Sequence, residues 1–315
     1  IHMFSLVEIK NMKTVTIIPL KKGIWKEILT YFTVKEVHNG DVVTIPFRDK
    51  NILGLVTSVE DVSGGKMNIK DMAFNLKKVI DVKEGSIFKK EYLESALLTG
   101  NYFSLNKNAA TASLIPNVFI EHYDKISLSI KNHSVAKDDS KQEGVKLKAE
   151  KLLLQVPLKD MISIYKTLVR ENFAAKKSVF LVLPTERDIK IFTDSLVKGI
   201  EQFTFSFHSK LSTKKTLTRI GEAVNTVHPV LILGTAPFLI IPRCDIGVII
   251  LEHESSPVYK KISKPQIDLR VFAEIYATKT NVKFVMADTL LRFETLARRD
   301  IDSLQSTHPL SFRLD

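Results

Sequence analysis

From Lys13 to Val59 the chain alternates apolar and polar positions over short runs, "TVTIIPL", "LTYFTV", "GDVVTIPF" and "NILGLVTSV", separated by "KKG", "HNGD" and "RDKN". Successive side chains of a strand point to opposite faces, so this alternation predicts four strands, and the Gly, Asn and Asp between them supply turn chemistry. A small β-sheet or barrel is expected. Residues 91–105, "EYLESALLTGNYFSL", bring Tyr92, Leu93, Ala96, Leu97 and Phe103 to near-helical spacing, which predicts a helix closing this domain. "SIKNHSVAKDDSKQEGVKLKAE", residues 129–150, has no aromatic residue and is dominated by polar and charged side chains, as in an exposed linker.

Beyond the linker the texture changes. "KLLLQVP", "SVFLVLP", "FTFSF", "PVLILGT", "IGVIIL" and "VKFVMAD" are near-continuous apolar runs, and amphipathic stretches at residues 159–176, 186–200 and 266–280 lie between them. Strands buried on both faces and alternating with helices predict a parallel sheet with helical crossovers. Ligands of such sheets bind at the carboxyl ends of the strands, so "VP", "LPT", "GTAPF", "LEHESS" and "ADT" are where chemistry is expected.

Length and composition add limits. The 315 residues suit two domains. Residues 1–2 precede Met3 and read as a cloning remnant. We divide the rest into a β-rich domain, 3–128, the linker, 129–150, and an α/β domain, 151–315. Cys244 is the single cysteine, which excludes an internal disulfide and any multi-cysteine zinc site; a buried, inert thiol is expected. The eight histidines are scattered without a close pair, so no metal site is expected. No apolar run reaches the ~18 residues of a membrane span, and a cytoplasmic protein is expected. The net charge of +11 suits a polyanionic partner, most simply nucleic acid.

The strand-end motifs, in order, resemble the first motor lobe of superfamily 2 helicases, specifically the primosomal replication-restart helicases. "VFLVLPTERDI" resembles that family's strand and turn after motif I, and "FHSKLS" its "hHSxLS" element. "VLILGTAPFLIIPRCDIGVIILEHESSPVYK" is similar to its segment ending "DEEHDSSYKQ", and "FVMADTLLRFETL" sits where it has "GSATPSLETL". The front of the chain fits too: "GDVVTIPFRDKNILGLVTSV" resembles the core of the family's N-terminal DNA-binding domain, and "NYFSLNKNAATASLIP" its closing segment. The resemblance implies a RecA-like lobe, branched or single-stranded DNA as partner, other replication or primosome proteins as further partners, and ATP with magnesium as cofactors.

The residues for nucleotide chemistry are missing. A phosphate cradle needs glycines whose neighbouring amides turn toward phosphate oxygens, a lysine, and a hydroxyl for magnesium. The family's "GVTGSGKTEVY" falls on "LLQVPLKDMISIY", which has no glycine; Lys159 stands near the phosphate lysine, but Pro157 lacks a donor. In the family's "DEEH" the first acid binds magnesium and the second polarises the attacking water; Ile250 and Leu251 hold those positions, and Glu252, His253 and Glu254 follow. "ADT" stands where the family has "SAT", and Asp288 introduces a carboxylate there. We expect no catalytic residue, Lys159, Glu252, His253, Glu254 and Asp288 being motif remnants, and no bound cofactor or metal. Arg243 and Arg292 are candidates for phosphate contact but are more often solvated surface residues, and Phe238 and Phe272 are expected to be core.

For DNA contact the candidates are Lys21, Lys22, Trp25, Lys26, Tyr31, Arg48 and Lys50 in the first domain, and His208, Lys210, Lys214, Lys215 and Thr235 in the second. The family's pocket for a 3′ DNA end uses an aromatic, an acid and a Tyr; Leu29, Thr30 and Tyr31 keep only the Tyr. The reading is a non-hydrolysing DNA-binding protein. Two alternatives stand: the front part of a longer ATP-dependent helicase, and a protein-interaction scaffold.

Overall fold

A computed structural model of the chain describes residues 12–24, 28–61, 76–83, 86–131, 150–299 and 304–306. The chain divides into two compact units, Ile1–Ile115 and Pro116–Asp315. It is α/β: a β-rich unit and a unit built on a parallel sheet with helical crossovers.

The first unit contains β1 (Lys13–Pro19), β2 (Leu29–Thr33), β3 (Val42–Phe47), β4 (Lys50–Asp61) and two two-residue strands, β5 (Lys77–Lys78) and β6 (Asp81–Val82), in the order β5-β2-β1-β4-β3-β6. The four long strands fall on the four alternating runs. β5 pairs with β2 and β6 with β3, the two ends of the order, and between them Val79 N donates to Phe32 O and Ile80 N to Thr44 O, both 2.9 Å. One short segment therefore joins both edges and closes the sheet into a small barrel. Val15, Ile17, Tyr31, Val43, Ile45, Val56 and Val79 fill it. A Cβ at Gly54 would meet Ile17 Cγ2 at 2.3 Å, so the residue facing that crowded wall must lack a side chain.

Helices α1 (Lys90–Tyr102) and α2 (Lys107–Leu114) complete the unit. They pack closely because Gly100 faces Ala110, where a Cβ would meet the alanine Cβ at 2.8 Å. α1 is the helix expected at 91–105; α2 was not foreseen.

The second unit opens with α3 (Asn117–Glu121) and α4 (Tyr123–Lys131), which pack on α7 (Thr213–Asn225); Asn225 Nδ2 donates to Ser129 O at 3.0 Å. These residues were expected to end the first domain and begin the linker, and 129–131 are helical instead. The remainder of that linker, 132–149, lies outside the described residues. The parallel sheet contains β7 (Lys151–Gln155), β8 (Ser178–Val182), β9 (Thr204–Phe207), β10 (Leu231–Gly234), β11 (Ile246–Leu251), β12 (Lys283–Asp288) and β13 (Gln305–Ser306), ordered β13-β7-β12-β11-β8-β10-β9. Six of its strands, β7 to β12, are the predicted apolar runs, β13 was not foreseen, and Leu154, Leu181, Leu233, Ile250 and Val285 lie in one core.

α5 (Leu158–Ala174), α6 (Glu186–Leu196), α7, α8 (Leu269–Thr280) and α9 (Phe293–Ala297) cross between strands. Thr185, Ser212 and Asp268 cap α6, α7 and α8 through their side-chain oxygens, each cap supplying ~1 kcal/mol by satisfying a free amide. α8 ends on Asn281 in the left-handed region, φ 53°. After β8 the chain runs toward β9, and after β11 it runs the opposite way toward β12. The carboxyl ends of these two neighbours therefore bound the crevice where such folds hold ligands. Among the described residues no helix is long and apolar enough to cross a membrane.

Candidate functional site

At that crevice, the connection from β7 to α5 is only Val156 and Pro157. It is too short to wrap a phosphate, and the first turn of α5 exposes Lys159 and Asp160 while burying Met161. One turn later Tyr165, fully buried, points its hydroxyl at Glu252 just beyond β11 and donates to Oε2. Glu252 is itself fully buried. Its amide continues the pairing to β8 through Val182 O at 3.0 Å, and Tyr259 Oη lies 2.6 Å from its carbonyl oxygen. Phe192 packs near Tyr165, with ring centroids 6.0 Å apart, and edge-on to His253 at 6.0 Å.

The Glu252 carboxyl is raised to about 8, chiefly by loss of hydration and also by Asp288 and Asp188, against the opposing Tyr165 hydroxyl and His253 amide. Its Oε1 has no hydrogen-bond partner, and His253 Nε2 stands off at 3.7 Å. Burial, and next the Glu252 charge, hold the Tyr165 hydroxyl well above its usual range. Glu252 is thus a protonated acid enclosed by aromatic rings at neutral pH.

The neighbouring remnants are structural. Glu254, fully buried, accepts from Arg292 Nε at 2.7 Å, Arg292 N at 3.1 Å and Thr295 Oγ1 at 2.6 Å, which fastens α9 to the strand tips. Asp288 accepts from Ser255 N at 2.7 Å. Ile250 and Leu251 are buried in the sheet. This donor set does not fit ATP with magnesium: among the described residues no glycine-rich turn faces the crevice, Ile250 and Leu251 are aliphatic, and the nearby carboxylates are hydrogen-bonded or enclosed. Among the described residues no group of three or more His, Cys, Asp or Glu could hold a metal ion.

Two basic concavities remain, one in each unit. In the first unit a pocket of about 680 Å³ opens at one mouth of the barrel and gathers Lys21, Lys22, Tyr31, Arg48 and Lys50, five of the expected contacts. Lys77 lines it too and was missed, because a two-residue strand leaves no periodicity to read. Tyr31 is buried, its hydroxyl donates to Pro46 O at 2.9 Å, and burial raises its pKa; it forms floor rather than a stacking surface. Trp25 and Lys26 lie outside the described residues.

In the second unit a cleft of about 730 Å³ between α6 and α7 is lined by His208 and Lys210, as expected, and by Arg187, Lys190 and Arg219, which were not singled out. Arg187 and Lys190 follow the quoted "LPT", so the signal was present. Lys210 is 3.0 Å from Glu186, and burial holds the His208 imidazole below its usual range. Lys214 and Lys215 are exposed on the first turn of α7, and Thr235 follows β10; none of the three lines this cleft.

Three expectations need correction. Cys244 is exposed. Arg243, expected to be solvated, is buried and pairs with Asp245 at 2.6 Å, and Arg292 pairs with Glu254 at 2.7 Å. Each arginine is drawn inward by a carboxylate whose position the linear sequence does not reveal. Phe238 and Phe272 are buried as expected.

In sequence the chain is similar to proteins named replication restart protein PriA. It is 24% identical over 245 residues to that of Helicobacter pylori strain J99, covering 77% of this chain and 37% of the relative. It is 22% identical over 279 residues to that of Rickettsia conorii, covering 86% of this chain and 42% of the relative. The chain therefore spans about two fifths of the length of the curated relatives it matches. No family model matches the chain. Among solved structures, the UvsW helicase from bacteriophage T4 overlaps 50% of this chain and 53% of its own at 10% identity and a TM-score of 0.34, an overlap too slight to argue from.

Proposed function

We propose that this PriA-like chain is a cytoplasmic DNA-binding protein that does not hydrolyse nucleotide, and that it engages forked or single-stranded DNA in replication restart, alongside other replication proteins. The observation that carries the reading is the filled crevice at the strand tips. Tyr165 and Tyr259 bond to the buried Glu252, and Phe192 packs beside Tyr165, where a motor would hold a triphosphate, while a pocket in each unit keeps its cations. Phosphate contact needs only such cations and backbone amides, and each neutralised phosphate makes binding fall as salt rises.

The test is an anisotropy titration of the purified chain with forked, single-stranded and duplex oligonucleotides across a salt series, beside calorimetry with ATP and magnesium. We expect forked or single-stranded DNA to bind more tightly than duplex, with affinity falling steeply with salt, and no heat from ATP. Equal affinity for all three DNAs, or none, refutes the DNA half. Saturable ATP binding refutes the other.

A further inference from the structure

β7 and β12 are neighbours in the parallel sheet, and just past their carboxyl ends three apolar side chains stay exposed among the described residues. Leu158 opens α5 after β7, and Leu290 and Phe293 follow β12, Phe293 with 88% of its surface open to solvent. One exposed apolar residue is ordinary, but a group of them on adjoining strand ends marks a contact surface. Their base is fixed. Leu291 N donates to Gln155 Oε1 at 3.4 Å, joining the connection after β12 to the end of β7, and Arg292, next to Phe293, is anchored on the buried Glu254.

The sheet directs one segment of the chain to this face. β13 is the edge strand beside β7 and runs parallel to it, Gln305 opposite Leu152 and Ser306 opposite Leu153, so the chain leaves β13 toward the carboxyl ends of the strands. Residues 307–315, "THPLSFRLD", lie outside the described residues. In their sequence Leu310, Phe312 and Leu314 alternate with Ser311 and Arg313, the period that gives an extended chain one apolar side and one polar side. Phe312 is six residues past Ser306, a reach of about 20 Å for extended chain, and β12 lies two strand spacings from β13, about 10 Å. The tether is long enough.

Charge and tethering both favour this occupant over a second copy. Two chains that each carry a net charge of +11 repel, whereas the segment sets the single cation Arg313 against the single acid Asp315. A segment joined through so short a link also meets the face at an effective concentration on the order of millimolar, with no partner needed.

We propose that residues 307–315 of this chain dock on the apolar face made by Leu158, Leu290 and Phe293, with Leu310, Phe312 and Leu314 turned toward it. Docked there, the segment covers the strand tips on the β7 side of the crevice and withholds that face from other chains. The inference is independent of the DNA-binding reading.

The test uses the full chain carrying Phe312→p-benzoylphenylalanine, irradiated in dilute solution, with the crosslink located by mass spectrometry. We expect a crosslink within one chain, to the peptide bearing Leu158 or the peptide bearing Leu290 and Phe293. Its yield should fall about tenfold when Leu290→Ser and Phe293→Ser are added, because the burial of two apolar side chains is lost. Both side chains are exposed, so the added changes keep the fold, which circular dichroism verifies. A second readout needs no photoreactive group: in Leu310→Ser with Phe312→Ser, peptides covering residues 288–298 should exchange hydrogen faster than in the wild type. Crosslinks that join two chains overturn the inference and assign the face to a second copy. Crosslinks elsewhere in the chain, a yield unmoved by the added changes, or no crosslink at all overturn it and leave the face open to a foreign partner.

Discussion

Replacing Glu252 by Gln isolates the buried acid at the crevice. The carboxyl stands at about 8 instead of the ordinary 4.5, chiefly because burial strips its water. Folding therefore tightens its proton, and between those two pH values the folded state binds more protons than the unfolded. By linkage, stability falls as pH rises through that interval, since the buried acid must either stay protonated against the solvent or ionise without hydration. At about 1.4 kcal/mol per pH decade the interval corresponds to roughly 5 kcal/mol, fully present near pH 4 and lost above about pH 8.

Gln cannot titrate. It keeps an oxygen for Tyr165, but its amide nitrogen falls where Oε1 has no hydrogen-bond partner, leaving a buried donor unsatisfied at about 1 to 3 kcal/mol. The variant should thus be the less stable protein near pH 5 and the more stable one near pH 9. The two units need not unfold together, so the assay must report locally: hydrogen exchange of peptides from β8 and β11 in a urea series, wild type against Glu252→Gln, across that pH range. A difference between the two proteins that stays flat with pH refutes the reasoning, because it means that Glu252 ionises in the fold as it does in water.

Glu254→Gln removes the charge that Arg292 meets at 2.7 Å inside a buried network and should destabilise the second unit by about 3 to 5 kcal/mol, read in the same exchange experiment. Gly54→Ala forces a methyl group against Ile17 and should cost the first unit about 1 to 3 kcal/mol, visible as a lower urea midpoint for its strands with little change in β8 or β11.

Legibility followed the physics of burial. β1 to β4 could be read because their alternation reports one face toward a core, and β7, β8, β10, β11 and β12 because both their faces are covered. β5 and β6, two residues each, are held by main-chain bonds that any side chain allows, so barrel closure left no trace. α2 packs through Ala110, Thr111 and Ala112, small residues that contrast little with a polar face, and it went unseen. In the candidate sites the absence of glycine from residues 153–165 could be read directly. The aromatic surroundings of Glu252 could not, since Tyr165 and Tyr259 bond to it, and Phe192 packs against Tyr165 and His253, from three separated segments.

Closing the barrel through residues 77–83 also divides labour along the chain. The wall is locked by pairing on both flanks, so the turns at Lys21–Gly23 and Arg48–Asp49 carry almost no responsibility for register. Their side chains, exposed at the rim, are therefore free to change charge, reach or shape without repacking an interior residue.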